Sequence, residues 1–174
     1  MPFADFSSRF PQLALKECRA ATLSPGNHFR LPPDQYAMIE LYCDEPNCDC
    51  RRVLLRVVGL QRGPVATVNF GWEPLDFYAR YLGEEWAKEL QGPNLLMGAP
   101  QSELAPQALE VAEFVLSDPD YVERCVRHYR MFRGIIDGKT AGRRDRPPSR
   151  KVSRAQAAAK VDALNQRRRT ARRR

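Results

Sequence analysis

The segment from Cys43 to Cys50 places three of the five cysteines within eight residues, between two stretches with the composition of β-strands. It reads Cys-Asp-Glu-Pro-Asn-Cys-Asp-Cys. Thiolates are soft ligands that favour zinc or iron, and three of them on a tight turn supply most of a tetrahedral coordination shell. The spacing therefore predicts a metal-binding loop in which the sulfurs of Cys43, Cys48 and Cys50 converge.

The flanking residues predict a short antiparallel β-meander that carries the cysteine segment at one end. Residues 36–43 and 52–60 have the length and the aromatic and aliphatic composition of strands, and we expect them to form a hairpin. After a Gly-Pro break, residues 65–70 predict a third strand. The first 35 residues show no clear pattern and are predicted to be mostly irregular.

From residue 74 onward the apolar residues recur at three- and four-residue spacing, which predicts three helices. The first is expected over residues 74–90, and the second over residues 102–116 with Ser102 as its N-cap. The third begins at Asp118-Pro119 and ends before Gly138. Strands followed by helices indicate the α+β class, a small meander packed on about three helices.

The net charge of +7 is divided unevenly along the chain. Residues 139–174 contain 14 Lys and Arg against two Asp, a net charge of +12, whereas residues 1–138 carry a net charge of −5. We predict one zinc-binding α+β domain over residues 1–138, a flexible basic linker over residues 139–152 and a basic tail over residues 153–174. The tail has high helix propensity but a thin apolar stripe, so we expect it to be helical when bound.

The spacing of the loop cysteines leaves the fourth metal ligand open. Cys125 and His128 lie three residues apart on the predicted third helix and therefore share one face. We favour His128, since imidazole completes a common Cys3His zinc set, with Cys125 next. Cys18 and His28 are the other candidates, and the acidic neighbours Asp44, Glu45 and Asp49 could ligate only if the loop folds inward. Zinc in a structural role is the expected ion, and iron or an iron–sulfur cluster is the lesser alternative.

Three motifs in the chain together resemble a pattern of an uncharacterised bacterial protein family with no established activity. They are Tyr42-Cys43 with Cys48-Asp49-Cys50-Arg51-Arg52, then Phe70-Gly71-Trp72-Glu73, then Arg127-His128-Tyr129. The resemblance covers roughly residues 36–132. It implies that this segment is one domain and that His128 belongs to the same pattern as the cysteines, and it implies no particular activity.

The basic tail indicates a polyanionic partner. Clustered arginines neutralise phosphates in a salt-dependent and largely sequence-independent way, so RNA or the ribosome suits this tail better than a specific DNA site. The candidate contact residues are Arg143, Arg144, Arg146, Arg150, Lys151, Arg167, Arg168, Arg169, Arg172, Arg173 and Arg174.

The sequence also favours some classes of protein over others. It contains no apolar run of the roughly 20 residues that span a bilayer and no signal-peptide pattern, so we expect a cytoplasmic protein with reduced thiols and no membrane attachment. Signals for an enzyme are sparse, because no phosphate loop and no G-x-S-x-G or H-E-x-x-H motif is found. The predicted role is that of a binding or accessory module. The alternative is a metal-dependent hydrolase with an open position on the metal.

Overall fold

A computed structural model describes residues 2–138, which form a six-stranded antiparallel sheet and five α-helices. This architecture confirms the predicted α+β class. The linker predicted over residues 139–152 and the tail predicted over residues 153–174 lie outside the described residues. The strands are β1 (Phe3–Asp5), β2 (Arg19–Leu23), β3 (Asp34–Cys43), β4 (Arg52–Gly59), β5 (Gly63–Gly71) and β6 (Asn94–Leu95), and the helices are α1 (Pro11–Glu17), α2 (Leu75–Leu82), α3 (Glu84–Gln91), α4 (Ala105–Leu116) and α5 (Pro119–Ile136).

The predicted meander forms the centre of the sheet. The strand order is β1-β3-β4-β5-β6, and β2 pairs with the first half of β3 beside β1. Strands β3 and β4 pair from Tyr36 opposite Gly59 to Leu41 opposite Leu54, so the hairpin is confirmed. The cysteine segment leaves the sheet from the end of this hairpin, because Cys43 is the last residue of β3.

The expectation that the first 35 residues are mostly irregular was wrong for a large part of them. They contain β1, a 3-10 turn at Phe6–Ser8, α1 and β2. These elements are short and depend on a distant partner, since both strands form their ladders with β3. Strand β2 reads Arg-Ala-Ala-Thr-Leu, which has little strand propensity of its own, so its conformation is imposed by pairing.

The single helix predicted over residues 74–90 is divided into α2 and α3 at Gly83. The φ of Gly83 is 86°, a left-handed conformation that glycine adopts without steric cost. The next helix, α4, begins at Ala105 rather than at Ser102, whose hydroxyl accepts a hydrogen bond from the Leu104 N–H at 3.2 Å. The start of α5 is as predicted, with the Asp118 carboxylate capping the helix.

Helices α4 and α5 cover one face of the sheet, where they pack against β3, β4 and β5 and form the main core. Helix α5 packs against β3 and ends beside the cysteine segment. Its C-cap residue, Asp137, accepts a hydrogen bond from the Asn47 N–H at 2.9 Å. The cysteine segment is therefore attached to the sheet at the end of β3 and packs against the C-terminal end of α5.

Gly71, the last residue of β5, gives room to a tyrosine that holds the end of the cysteine segment. The Tyr78 hydroxyl donates to the carbonyl oxygen of Arg51 at 2.8 Å, and a Cβ on Gly71 would lie 2.3 Å from that hydroxyl oxygen. We expect Gly71→Ala to lower the free energy of unfolding by about 1–3 kcal/mol through overpacking. Urea unfolding measures this effect.

The control for Gly71→Ala is Gly98→Ala, because a Cβ on Gly98 meets no atom within 4 Å. Gly98 has a φ of 78°, so this variant carries only backbone strain, roughly 1 kcal/mol. A Cβ on Gly71 would also lie 2.8 Å from the Leu90 carbonyl oxygen. Equal stability of Gly71→Ala and the wild type would show that both groups move aside freely, and would contradict the prediction.

Candidate metal centre

The three cysteines of the loop form a cluster that could hold a metal ion. Their Sγ atoms lie within 4.8 Å of one another, with Cys43 buried and Cys48 and Cys50 half-buried. In a tetrahedral zinc site with Zn–S bonds of about 2.3 Å, neighbouring sulfurs are about 3.8 Å apart. Small side-chain adjustments therefore suffice to place all three on one ion. The predicted convergence of the three sulfurs is what the structure shows, and we call residues 43–50 the cysteine loop.

Two residues in left-handed backbone conformations give the cysteine loop its shape. Asn47 has a φ of 61°, which asparagine tolerates, and it reverses the chain just before Cys48. Arg51, directly after Cys50, has a φ of 44°, which is uncommon for a residue with a long side chain. Its carbonyl oxygen accepts a hydrogen bond from Tyr78, and its N–H points to the Tyr129 hydroxyl at 3.4 Å. Neighbouring elements thus hold the exit of the loop in place.

Helix α5 fixes the entry of the loop through a buried arginine. One guanidinium nitrogen of Arg133 donates to the carbonyl oxygens of Cys43 at 2.9 Å and Glu45 at 2.8 Å. The sequence reasoning did not identify Arg133. The available signal was its spacing, because Tyr129 and Arg133 of α5 and the C-cap residue Asp137 lie four residues apart and so lie on one side of the helix. All three contact the cysteine loop or Arg51 beside it.

The thiols of the cluster differ in acidity because they hydrogen-bond to one another. The pKa of Cys43 is lowered to about 6, chiefly by the hydrogen bond from the Cys50 thiol. The same bond, together with burial, raises the pKa of Cys50, and burial raises the pKa of Cys48. Cys43 is therefore the first of the three to become a thiolate. A metal ion must displace the protons of the other two, so metal binding releases protons and strengthens as the pH rises.

Two orphaned nitrogens near the loop fit a negatively charged centre. The Nε atoms of Arg52 and Arg133 are buried and have no hydrogen-bond acceptor among the described residues. Both guanidinium groups act electrostatically on the cluster, Arg52 on Cys50 and Arg133 on Cys43. Three thiolates around a divalent cation carry a net negative charge, which such positive groups stabilise. The donor set and its surroundings therefore fit a thiolate-bound metal ion.

The structure places His128, the favoured fourth ligand, away from the three sulfurs. Its Nδ1 lies 2.6 Å from Glu40 Oε2, its Nε2 lies 3.0 Å from Glu17 Oε2, and its ring stacks on Phe6 at 4.2 Å. Successive residues of a helix project about 100° apart. Tyr129 therefore faces the cysteine loop, whereas His128 faces α1 and β3.

The other three candidates for the fourth ligand also lie outside the cluster. Cys125 is fully buried, with its Sγ 3.9 Å from Glu40 Oε1, and burial raises the pKa of its thiol. Cys18 is exposed, and its thiol points to the carbonyl oxygen of the next residue at 3.9 Å. The ring of His28 lies against Phe29 at 3.8 Å. Within residues 2–138, only the three loop cysteines form a group suited to a metal ion.

Glu17, Glu40 and His128 form a second polar cluster, which we call the histidine clamp. Glu40 and His128 are buried, and the Tyr42 hydroxyl donates to Glu40 at 2.8 Å. Each ring nitrogen of His128 therefore faces a carboxylate oxygen, one from Glu40 and one from Glu17. Burial by itself would raise the pKa of Glu17, but hydrogen bonds from Arg127 and His128 outweigh it and the pKa is lowered. The clamp lines a cavity of about 260 Å³ between α1 and β3.

Sequence reasoning missed the clamp, although β3 carries a signal for it. Successive residues of a strand face opposite sides, so Glu40 shares a side with Tyr36, Met38 and Tyr42, all of which are at most 1% exposed. A carboxylate in such a row requires a buried partner. That partner is His128, which explains the histidine without a metal ion.

Comparison with known proteins gives no assignment, because no protein-family model, curated protein or solved structure matches this chain. Within residues 2–138, no helix combines the length and apolar character needed to cross a membrane. The arginines and lysine proposed to contact nucleic acid, from Arg143 to Arg174, lie outside the described residues. Fold and site together define an α+β domain with a three-cysteine loop that could bind a metal ion.

Proposed function

We propose that this chain is a zinc-binding accessory module, in which Cys43, Cys48 and Cys50 hold the ion. The observation that carries the proposal is the convergence of three sulfurs within 4.8 Å on one loop. Zinc suits a thiolate set in tetrahedral geometry, whereas the common iron–sulfur clusters take four cysteines. All five cysteines are free thiols, which suits the reducing cytoplasm proposed as the location of the protein.

Metal analysis of the purified full-length chain tests this proposal. A preparation from zinc-replete cells is expected to contain about one equivalent of zinc, since three fixed thiolates supply most of a structural site. Elemental analysis by mass spectrometry identifies and counts the ion. Less than about one-third of an equivalent of any transition metal would contradict the proposal.

The second part of the proposal concerns the arginine-rich segment after Gly138. Its net charge of +12 contrasts with −5 for residues 1–138, so the segment is the part of the chain suited to phosphates. We propose that this arginine-rich segment contacts RNA, with the ribosome as the favoured partner. The metal ion bound by the cysteine loop would stabilise the folded domain that carries the segment. This part of the proposal rests on the sequence alone.

Neutralising the terminal arginines tests the RNA contact in the full-length chain. A variant with Arg167–Arg169 and Arg172–Arg174 replaced by glutamine loses six positive charges. We expect weaker binding to single-stranded RNA and a smaller salt dependence, by about 0.7 in the slope of log K against log salt for each phosphate that is no longer neutralised. Fluorescence anisotropy across a salt series measures both. The control replaces Arg9, Arg30 and Arg62 of the folded domain, and equal affinities of wild type and tail variant would contradict the proposal.

A metal-dependent hydrolase is the alternative function. Three protein ligands leave one position for water on a zinc ion, and such a water is a hydrolytic nucleophile. The loop carboxylate closest in sequence to the sulfurs, Asp49, already accepts hydrogen bonds from Arg51 at 2.9 and 2.8 Å, so its role as a base would need that ion pair to open. We therefore favour binding. Zinc-dependent hydrolysis of an activated ester that Cys48→Ser abolishes would favour the enzyme instead.

A further inference from the structure

The source of the fourth ligand follows from the placement of every other cysteine and histidine. Besides the loop cysteines, the sequence contains Cys18, His28, Cys125 and His128, all of them within the described residues. Each lies outside the three-sulfur cluster. Residues 139–174 contain neither cysteine nor histidine. In this arrangement, no further thiol or imidazole of the sequence belongs to the three-sulfur cluster.

The two candidates on α5 are held too firmly to reach the loop. His128 is 1% exposed and both of its nitrogens are engaged in the histidine clamp, so moving it would leave Glu40 buried without its main partner. Cys125 is 0% exposed and packs in the main core. Turning either side chain toward the sulfurs would require α5 to rotate, which would also remove Arg133 from the loop.

The carboxylates of the loop are poor substitutes for a fourth soft ligand. Asp49 accepts hydrogen bonds from Nε and Nη2 of Arg51 and from the Tyr129 hydroxyl at 3.4 Å. Asp44 and Glu45 lie outside the cluster. Carboxylate oxygens are hard donors, and a site built from thiolates favours another soft donor.

The cluster has an accessible side and a surrounding charge suited to an anionic ligand. Cys43 is buried, but Cys48 and Cys50 are only half-buried, so the site can be approached from solvent. Arg52 and Arg133 each retain a buried Nε without an acceptor among the described residues. Positive groups beside the site stabilise a fourth negative ligand as they stabilise the first three.

We infer that the fourth coordination position of the zinc site takes an exchangeable thiolate from outside residues 1–174 of the same molecule. This inference rests on the proposed zinc site. In the exchange, a zinc–oxygen bond to water breaks, a zinc–sulfur bond forms, and the thiol proton passes to solvent. The thiolate has two possible sources: a low-molecular-weight thiol, or the exposed Cys18 of a second copy of this chain.

Cobalt substitution of the full-length chain tests the inference. Cobalt(II) takes the place of zinc in tetrahedral thiolate sites, and its sulfur-to-metal charge-transfer absorption reports the number of bound thiolates. The protein is loaded with one equivalent of cobalt in a thiol-free reductant, and free cysteine is then titrated in. We expect the absorption to rise by about one-third, as three thiolates become four. Cys18→Ser is measured in parallel, and light scattering gives the mass.

The possible results distinguish the two sources of the thiolate. They also distinguish failure of this inference from failure of the proposed zinc site. The same rise in wild type and in Cys18→Ser at monomer mass identifies a small thiol as the ligand. If the wild type has the mass of a dimer and shows four-thiolate absorption before cysteine is added, and if Cys18→Ser loses this absorption, the ligand is Cys18 of a second copy. A three-thiolate spectrum that cysteine leaves unchanged overturns the inference but not the metal site. A chain that binds no cobalt or zinc overturns both.

Discussion

Replacing Glu40 by alanine is expected to lower the free energy of unfolding by about 3–5 kcal/mol. Glu40 is 8% exposed and accepts hydrogen bonds from His128 at 2.6 Å and Tyr42 at 2.8 Å. Its removal leaves the buried imidazole facing no carboxylate on that side. Since small domains are stable by only about 5–15 kcal/mol, the loss is a large part of the total. Urea unfolding followed by tryptophan fluorescence measures it.

Two further variants show whether the buried charge causes this loss. Glu40→Gln keeps the shape and an acceptor oxygen, so we expect a smaller cost, about 1–3 kcal/mol. Glu17→Gln changes the second carboxylate that contacts the His128 ring. The Glu17 side chain is 21% exposed, so this substitution should lower the free energy of unfolding by only about 1 kcal/mol. The prediction is contradicted if Glu40→Ala costs no more than Glu17→Gln.

The pH dependence of the clamp follows from the sign of the Glu17 shift. The pKa of Glu17 is lowered in the folded protein, so the unfolded chain binds its proton more readily. The stabilisation from Glu17 is therefore fully present above the ordinary carboxyl pKa, and it is lost as the pH falls through the lowered value. Glu17→Gln should remove this part of the acid sensitivity.

The parts of the fold that the sequence predicted well are those fixed by local pattern. Strand β3 is rich in aromatic and aliphatic residues, and β4 and β5 are rich in valine. Helix α5 begins with an aspartate cap followed by proline. Strand β2 and helix α1 lack such patterns, and their conformations depend instead on pairing with β3 and on packing against the core. The break between α2 and α3 depends on one glycine, which a helical pattern tolerates in sequence.

In the candidate site, too, the features set by local sequence could be predicted, whereas those set by tertiary packing could not. The three loop cysteines converge because only six residues of chain separate the first from the last, so spacing alone predicts the cluster. The role of His128 depends on the rotation of α5 about its own axis, which sequence spacing does not fix. Tyr129 rather than His128 faces the loop. The buried carboxylate of Glu40 was the signal that His128 pairs with a carboxylate rather than with a metal ion.

Removing the metal ion is expected to destabilise the domain without unfolding its core. At a free zinc concentration about 1,000 times the dissociation constant, binding adds about 4 kcal/mol to the stability of the folded state. For a domain of this size, a chelator should then lower the Tm by roughly 10–15 °C. The core around α4, α5 and the sheet is extensive, so a cooperative transition should remain. Calorimetry with and without chelator measures the shift.

Cys48→Ser is the variant that ties this loss to the loop, because Cys48 is half-buried and lies outside the main core. If the roughly 10–16 kcal/mol of a structural zinc site is shared among its ligands, losing one weakens binding by about 100-fold or more. The variant should therefore have a low Tm that the chelator no longer changes. In monomeric protein, Cys18→Ser alters an exposed thiol outside the three-sulfur cluster and should respond to the chelator as the wild type does. An equal chelator-induced shift in Cys48→Ser and the wild type would mean that the stabilising ion binds elsewhere.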